Sequence, residues 1–375
     1  MLHTPTTRRG KARLAAAAVG ASAALLAALG TAGTAQAGAP APHLRTGVFP
    51  TVAGAAAIRA QAAHEAGLAK TAATGPETLS YGGGIDGIGV MDQHPKVYVI
   101  FYGSQWGTQG KDANGNLTFS NDPQKGAAPA QMLFKGIGTG GEAWSGTMTQ
   151  YCDGSGVKTG ATSCPSGALH VPYPTGGVLA GAWYDNSAKS PAAASGHQLG
   201  EEALKAAKHF GNTTAAKNRG AYYVILSPHG TNPDNYQGQY CAWHDYNGDT
   251  TLTGGAVAST VGDFAFSNQP YNMDSGQGCG VNFLNSGSKG TLDGWTMTLG
   301  HEYSETITDQ NPAGGWTNNV AGSAYQGQEN ADECAWLKGV TGGAGNVKFG
   351  NGTYTFQGSW SNDTNVCALT HATVK

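Results

Sequence analysis

Two uninterrupted apolar runs constrain the fold of this chain more than any other feature. "KVYVIFYG" (96–103) and "AYYVILSP" (221–228) carry β-branched and aromatic residues at consecutive positions and end in Gly or Pro turns. A strand apolar on both faces has to be covered on both faces, so each belongs near the centre of a sheet. Helical patterns lie between them at 126–137, around 142–151, and in the amphipathic stretch "GHQLGEEALKAAKHFG" (196–211). Asn-Gly pairs at 114–115, 247–248 and 351–352 signal hairpins, and "AVASTVGDFAF" (256–266) reads as a further strand. Buried strands separated by helices and followed by hairpins give a mixed α/β (α+β) class. From about Tyr81 the texture is uniform, with no repeat and no linker, so 81–375 is expected to be one loop-rich domain with a central mixed sheet.

The N-terminal 80 residues have a different character. Arg8, Arg9, Lys11 and Arg13 precede an Ala/Leu-rich run from Leu14, and Ala35-Gln36-Ala37 satisfies the small-residue cleavage rule, so residues 1–37 read as a secretory signal. Residues 38–80 are rich in Ala, Pro and Thr and hold a short helical pattern around Ala55 to Lys70. They are expected to be a linker or a pro-segment removed on activation. Without the leader the chain has 17 basic and 24 acidic residues, net −7, which argues against a nucleic-acid partner. Nothing beyond the leader is long and apolar enough to span a bilayer, so the expectation after cleavage is a secreted, extracellular protein with no membrane partner.

Six cysteines fit that compartment. Neighbour pairing, Cys152–Cys164, Cys241–Cys279 and Cys334–Cys367, is expected among the fifteen formal combinations. The absence of CxxC spacing argues against a thiolate zinc site.

The chemistry concentrates in "TLGHEYSETITDQNPAGGW" (298–316). Asp293 can cap a helix starting at Gly294 or Trp295, and Asn311-Pro312 with Gly314-Gly315 can end it. Four Thr and two Gly give that helix poor propensity, so packing through Trp295, Leu299, Tyr303 and Ile307 has to hold it. On a helix His301, Glu305 and Asp309 fall at i, i+4 and i+8 along one face, with Glu302 one step round. Two ligands one turn apart, with a Glu beside the first to activate water, is the geometry of the HExxH zinc motif, and a carboxylate is an acceptable zinc ligand. Glu305 in place of the second His makes a harder site, more tolerant of manganese or calcium. "GQENADECAW" (327–336) offers Glu329 or Asp332 as a third ligand, held by Cys334. From Gly290 to Leu337 there are seven acids and no Lys or Arg, a charge that water, protons or a cation must offset. Two blander readings of the same residues are a solvated helix face and a calcium site serving stability alone.

His301-Glu302 with an acidic segment downstream resembles the zincin metallopeptidases. That resemblance implies a ligand at His301, a general base at Glu302, and a protein or peptide substrate. It covers the helix and little else. Separately, "HPKVYVIFYGSQWG" (94–107) and "AYYVILSPHGTNPDNYQGQYCAWHDY" (221–246) are similar to the secreted exordium-like (phosphate-induced) proteins over about 200 residues. This similarity implies an extracellular or wall-associated protein with cell-wall polysaccharide as a partner, and carries over no catalytic residue.

Two further candidates are weaker. His229 follows a central strand, where α/β folds place functional groups, and is a secondary ligand candidate beside Asp309. "HDYNGDT" (244–250) reads as a hairpin, its calcium-loop spacing lacking the Glu at position 12. There is no GxSxG elbow, P-loop or dinucleotide fingerprint. Trp295 and Trp336, flanking the acids, are expected to wall the site.

Overall fold

The computed structural model describes residues 47–68, 78–154 and 156–375. The leader lies outside these residues, as do parts of the 38–80 segment. The two apolar runs become adjacent parallel strands at the middle of a six-stranded mixed sheet. Its strands are β1 (Val48–Pro50), β2 (Lys96–Tyr102), β3 (Leu179–Asp185), β4 (Ala221–Leu226), β5 (Tyr240–Tyr246) and β6 (Ala265–Gln269), in the spatial order β1-β5-β6-β4-β2-β3. Strands β3, β2, β4 and β6 run parallel, while β5 is antiparallel to β6 and β1 to β5. Part of the segment expected as linker or pro-segment is therefore a strand of the sheet.

Alternation along the strands sends side chains to two cores. Tyr98, Ile100, Tyr223 and Ile225 meet Leu199, Ala203, Ala206 and Ala207 of helix α3 (Gly196–His209) on one face. The other face, with Val97, Val99, Phe101, Val224 and Leu226, packs against α2 (Ala127–Gly136) and α4 (Asp293–Thr308). α3 begins with the capping box its sequence calls for: Ser195 accepts from Gln198 N, and the Gln198 side chain accepts from Ser195 N. α1 (Val52–Leu68) is the N-terminal helix.

Several boundaries differ from expectation. The 142–151 pattern is a 3₁₀ helix over Ser145–Gln150. The strand expected at 256–266 begins only at Ala265, because a turn in which Ser259 Oγ donates to Gly262 O holds the chain out of the sheet. Asn247-Gly248 is no two-residue hairpin turn: residues 247–264 form a long loop between the paired ends Tyr246 and Ala265. The other two Asn-Gly pairs do close hairpins, Gln109–Lys111 with Leu117–Phe119 and Gly345–Phe349 with Gly352–Phe356. All three disulfides join sequence neighbours, as expected: Cys152–Cys164, Cys241–Cys279 and Cys334–Cys367. No helix among the described residues is long and apolar enough to cross a membrane.

α4 runs through the middle of the protein, every one of its sixteen residues buried. Its weak intrinsic propensity is offset by packing and by local hydroxyl bonds. Thr298, Thr306 and Thr308 donate to carbonyls four residues back, which satisfies hydroxyls that water cannot reach. Gly294 and Gly300 are needed for close approach: a Cβ would stand 1.8 Å from Cys279 O at the first and 2.4 Å from the Phe356 ring at the second. Asp293 does not cap the helix from outside. It lies in the first turn and accepts from Leu284 N, Asn285 N and Thr355 Oγ1, bracing the approach loop.

One buried acid away from α4 sets a pH dependence. Glu202 on α3 sits beside Asp185, which pairs with Lys205. Burial and the Asp185 charge push the Glu202 carboxyl from 4.5 up to about 9. A folded-state pKa raised this way leaves stability intact below the unfolded value and erodes it as pH rises toward the folded one. Glu202→Gln should therefore melt at the wild-type temperature near pH 4 and roughly 3–8 °C higher at pH 8, measured by thermal denaturation across that range.

Candidate metal centre

His301 and Glu305 lie one turn apart on α4, as the sequence spacing requires. His301 Nε2 is 3.0 Å from Glu305 Oε1 and 3.5 Å from Asp332 Oδ1, and neither contact is aligned as a hydrogen bond. Asp332 begins the one-turn segment Asp332–Cys334, which the Cys334–Cys367 disulfide anchors. Its backbone N donates to Glu305 Oε1 at 2.9 Å, locking that segment to the helix. Two donors each about 2.0–2.1 Å from a tetrahedral zinc stand roughly 3.3 Å apart, so this spacing suits a cation.

The structure adds a residue that the sequence reading passed over. His244, in β5, projects to the α4 face because its neighbour Trp243 packs on the α3 side. Its Nδ1 lies 3.5 Å from Glu302 Oε2 and 3.8 Å from Glu305 Oε2, and its Nε2 lies 3.6 Å from Glu329 Oε1. Nε2 also meets the Asp309 carbonyl at 3.2 Å, and a carbonyl can only accept, so the proton belongs on Nε2. In the neutral ring the Nδ1 lone pair then faces Glu302 and Glu305. Two overlapping groups that could hold a metal ion result, His301–Glu305–Asp332 and His244–Glu302–Glu305, sharing Glu305. A strand alternation carried through "YCAWHDY", anchored by Cys241, was the signal for His244. The following Asn-Gly pair drew the stretch into a hairpin reading instead.

The remaining candidates go elsewhere. Asp309 does not extend the ligand face, because the helix ends at Thr308 and Asp309 leaves it at φ −147°, ψ 70°. Its carboxylate accepts from Ala313 N and Gly315 N, capping the turn that follows. Glu329 lies between His244 and Asp309 rather than beside His301. His229 is at the surface, paired through Nδ1 with Asp274 at 2.6 Å. Trp336 stands two rings from His301, whereas Trp295 donates from Nε1 to Gly126 O and sits in the main core.

Electrostatics make the cluster costly as it stands. Burial pushes the Glu302 carboxyl well above the ordinary range, opposed by the His301 charge and reinforced by Glu305 and Asp332. Burial and the Asp332 charge move Glu305 up to about 7, and burial with the charges of Glu305, Asp309 and Asp332 raises Glu329 strongly. Burial alone would lower His301, yet the carboxylates around its ring push it up to about 10. Both oxygens of Glu302, Oε2 of Glu305 and Oδ1 of Asp332 are buried without a hydrogen-bond partner. Unpartnered buried carboxylates around imidazoles fit the donor set of a divalent cation, which would offset several kcal/mol of desolvation.

No family model, curated protein or solved structure matches the chain.

Dialysed protein is therefore expected to retain a divalent metal, read by elemental mass spectrometry. His301→Ala and Glu305→Gln should each cut the content at least tenfold. Asp309→Asn should keep the metal while lowering the melting temperature. Chelation of the wild type should lower its melting temperature in proportion to about 2.7 kcal/mol per hundredfold excess of metal over Kd.

Proposed function

We propose that this protein is a secreted metal-dependent hydrolase of peptide bonds, with zinc the first candidate and manganese or calcium the alternatives. The observation carrying this reading is Glu302: adjacent in sequence to His301, fully buried, both oxygens without a hydrogen-bond partner, beside the His301–Glu305–Asp332 set. His301 Nε2, one Glu305 oxygen and Asp332 Oδ1 would hold the ion. When bound, it supplies Lewis acidity, lowering the pKa of an attacking water and polarising the scissile carbonyl.

The rest of the chemistry belongs to the chain. Glu302 takes a proton from the attacking water as its oxygen bonds to the carbonyl carbon. It then delivers that proton to the amide nitrogen as the C–N bond breaks, leaving a carboxylic acid and an amine. His244 stands beside Glu302 at 3.5 Å, its own tautomer fixed by the Asp309 carbonyl. The disulfides, which suit an oxidising compartment, support the extracellular assignment.

Complete burial of the cluster would equally suit an ion held for stability alone, and one substitution separates the two readings. Glu302→Gln should keep the bound metal and the wild-type melting profile in its presence, while hydrolysis of a casein or mixed-peptide substrate, compared in protein freed of the N-terminal segment, falls at least 10³-fold. Unchanged activity would leave a structural ion. Loss of metal along with activity would make Glu302 a ligand and remove the general base from this account.

A further inference from the structure

The cluster is buried because an N-terminal segment of the same chain lies over it. β1 adds to the outer edge of β5 in antiparallel register, Val48 opposite Trp243 and Phe49 opposite Ala242, with His244 N donating to Gly47 O at 3.0 Å. The Phe49 ring stacks on the His301 imidazole at 3.7 Å between centroids and 20° between planes. Its other neighbour is Trp336, at 4.6 Å and 10°. Gly47, at φ +74°, passes over the second imidazole, where a Cβ would stand 3.1 Å from Cε1 and Nδ1 of His244. One strand thus covers both histidines, and Phe49 is wholly buried in doing so.

The attachment is peripheral to the rest of the fold. Phe49 and Ala55 belong to a small cluster with Cys241, Cys279, Met297, Ala335 and Trp336, separate from both main cores. Val48 touches the margin of the α3-side core. Trp336 Nε1 donates to Pro50 O at 2.8 Å, Arg59 donates to Ala335 O, and Ala324 N donates to Glu65 Oε2 at 2.8 Å. Each tether lands on the stretch between Ala324 and Trp336, which carries Glu329 and Asp332. Pairing stops at Pro50, after a register shift, because proline has no N–H to give the ladder. Without β1, β5 would be an open edge whose unpaired backbone groups lie beside His301, with an aromatic-lined slot between His301 and Trp336.

We propose that this edge and slot form the substrate cleft of the hydrolase, built for an extended polypeptide that adds to β5 as an antiparallel strand and buries a bulky apolar side chain where Phe49 lies. Residues 47–68 occupy the cleft in cis and hold the protein latent until the chain is cut beyond α1. Main-chain pairing supplies affinity in such strand addition and the slot supplies specificity. The proposal rests on the hydrolase reading for the cleft's purpose, but its binding test does not need activity.

The full chain is prepared with the recognition sequence of a site-specific protease replacing residues within 69–77, and compared uncut and cut. After cutting and removal of the released segment, a fluorescent peptide of residues 45–52 should bind. The same peptide with Phe49→Ala should bind at least tenfold more weakly, and the uncut chain should bind neither. A chelator should strip metal from the cut protein at least tenfold faster. Where the cut segment stays bound, Phe49→Ala in the chain, checked for wild-type circular dichroism, should release it. Peptide that fails to bind the strap-free protein, or chelator access unchanged by removing the strap, overturns the proposal. Peptide binding without casein hydrolysis keeps the cleft and sinks the hydrolase reading. Equal hydrolysis by cut and uncut chain keeps the hydrolase and sinks latency.

Discussion

Four carboxylates and two imidazoles share one buried volume, and no Lys or Arg forms an ion pair with them among the described residues. Fully ionised, such a cluster would be intolerable at low dielectric. Left to protons alone, it would waste the effort of placing acids there, since well-packed apolar residues would be more stable. Much of the surrounding architecture serves this cluster. The helix that bears it is enclosed on every side, two glycines admit that helix to the core, and disulfides hold the flanking segments that approach it.

Each residue of the cluster is placed by its own kind of constraint. His301 and Glu305 meet through helical periodicity. Asp332 meets them because a disulfide fixes its segment and its backbone N bonds to Glu305. His244 arrives through strand alternation, with the sheet fixing β5 against α4. Rigid elements thus define most of the geometry, and the one peripheral piece is the N-terminal strand over the histidines.

Legibility in the sequence followed the range of the interactions. The central strands, the pair at i and i+4 and the neighbouring cysteines are local patterns, and all of these can be read from residues close in sequence. Periodicity alone puts Asp309 on the His301 face, but it lies one residue past the helix end, where its carboxylate caps the next turn instead. His244 lies 57 positions before His301, and only sheet order brings it there. The covering strand was the least legible: "GVFP" is too short and too plain to announce that its phenylalanine stacks on a histidine some 250 residues away.

The most direct test is anomalous diffraction from crystals of the metal-loaded protein, collected on either side of the zinc and manganese edges. A peak is expected at the cluster, about 2.0–2.2 Å from His301 Nε2 and from a carboxylate oxygen of each of Glu305 and Asp332. A map with no peak there, or with the metal bound by other residues while His301 and Glu305 remain in contact, would contradict it.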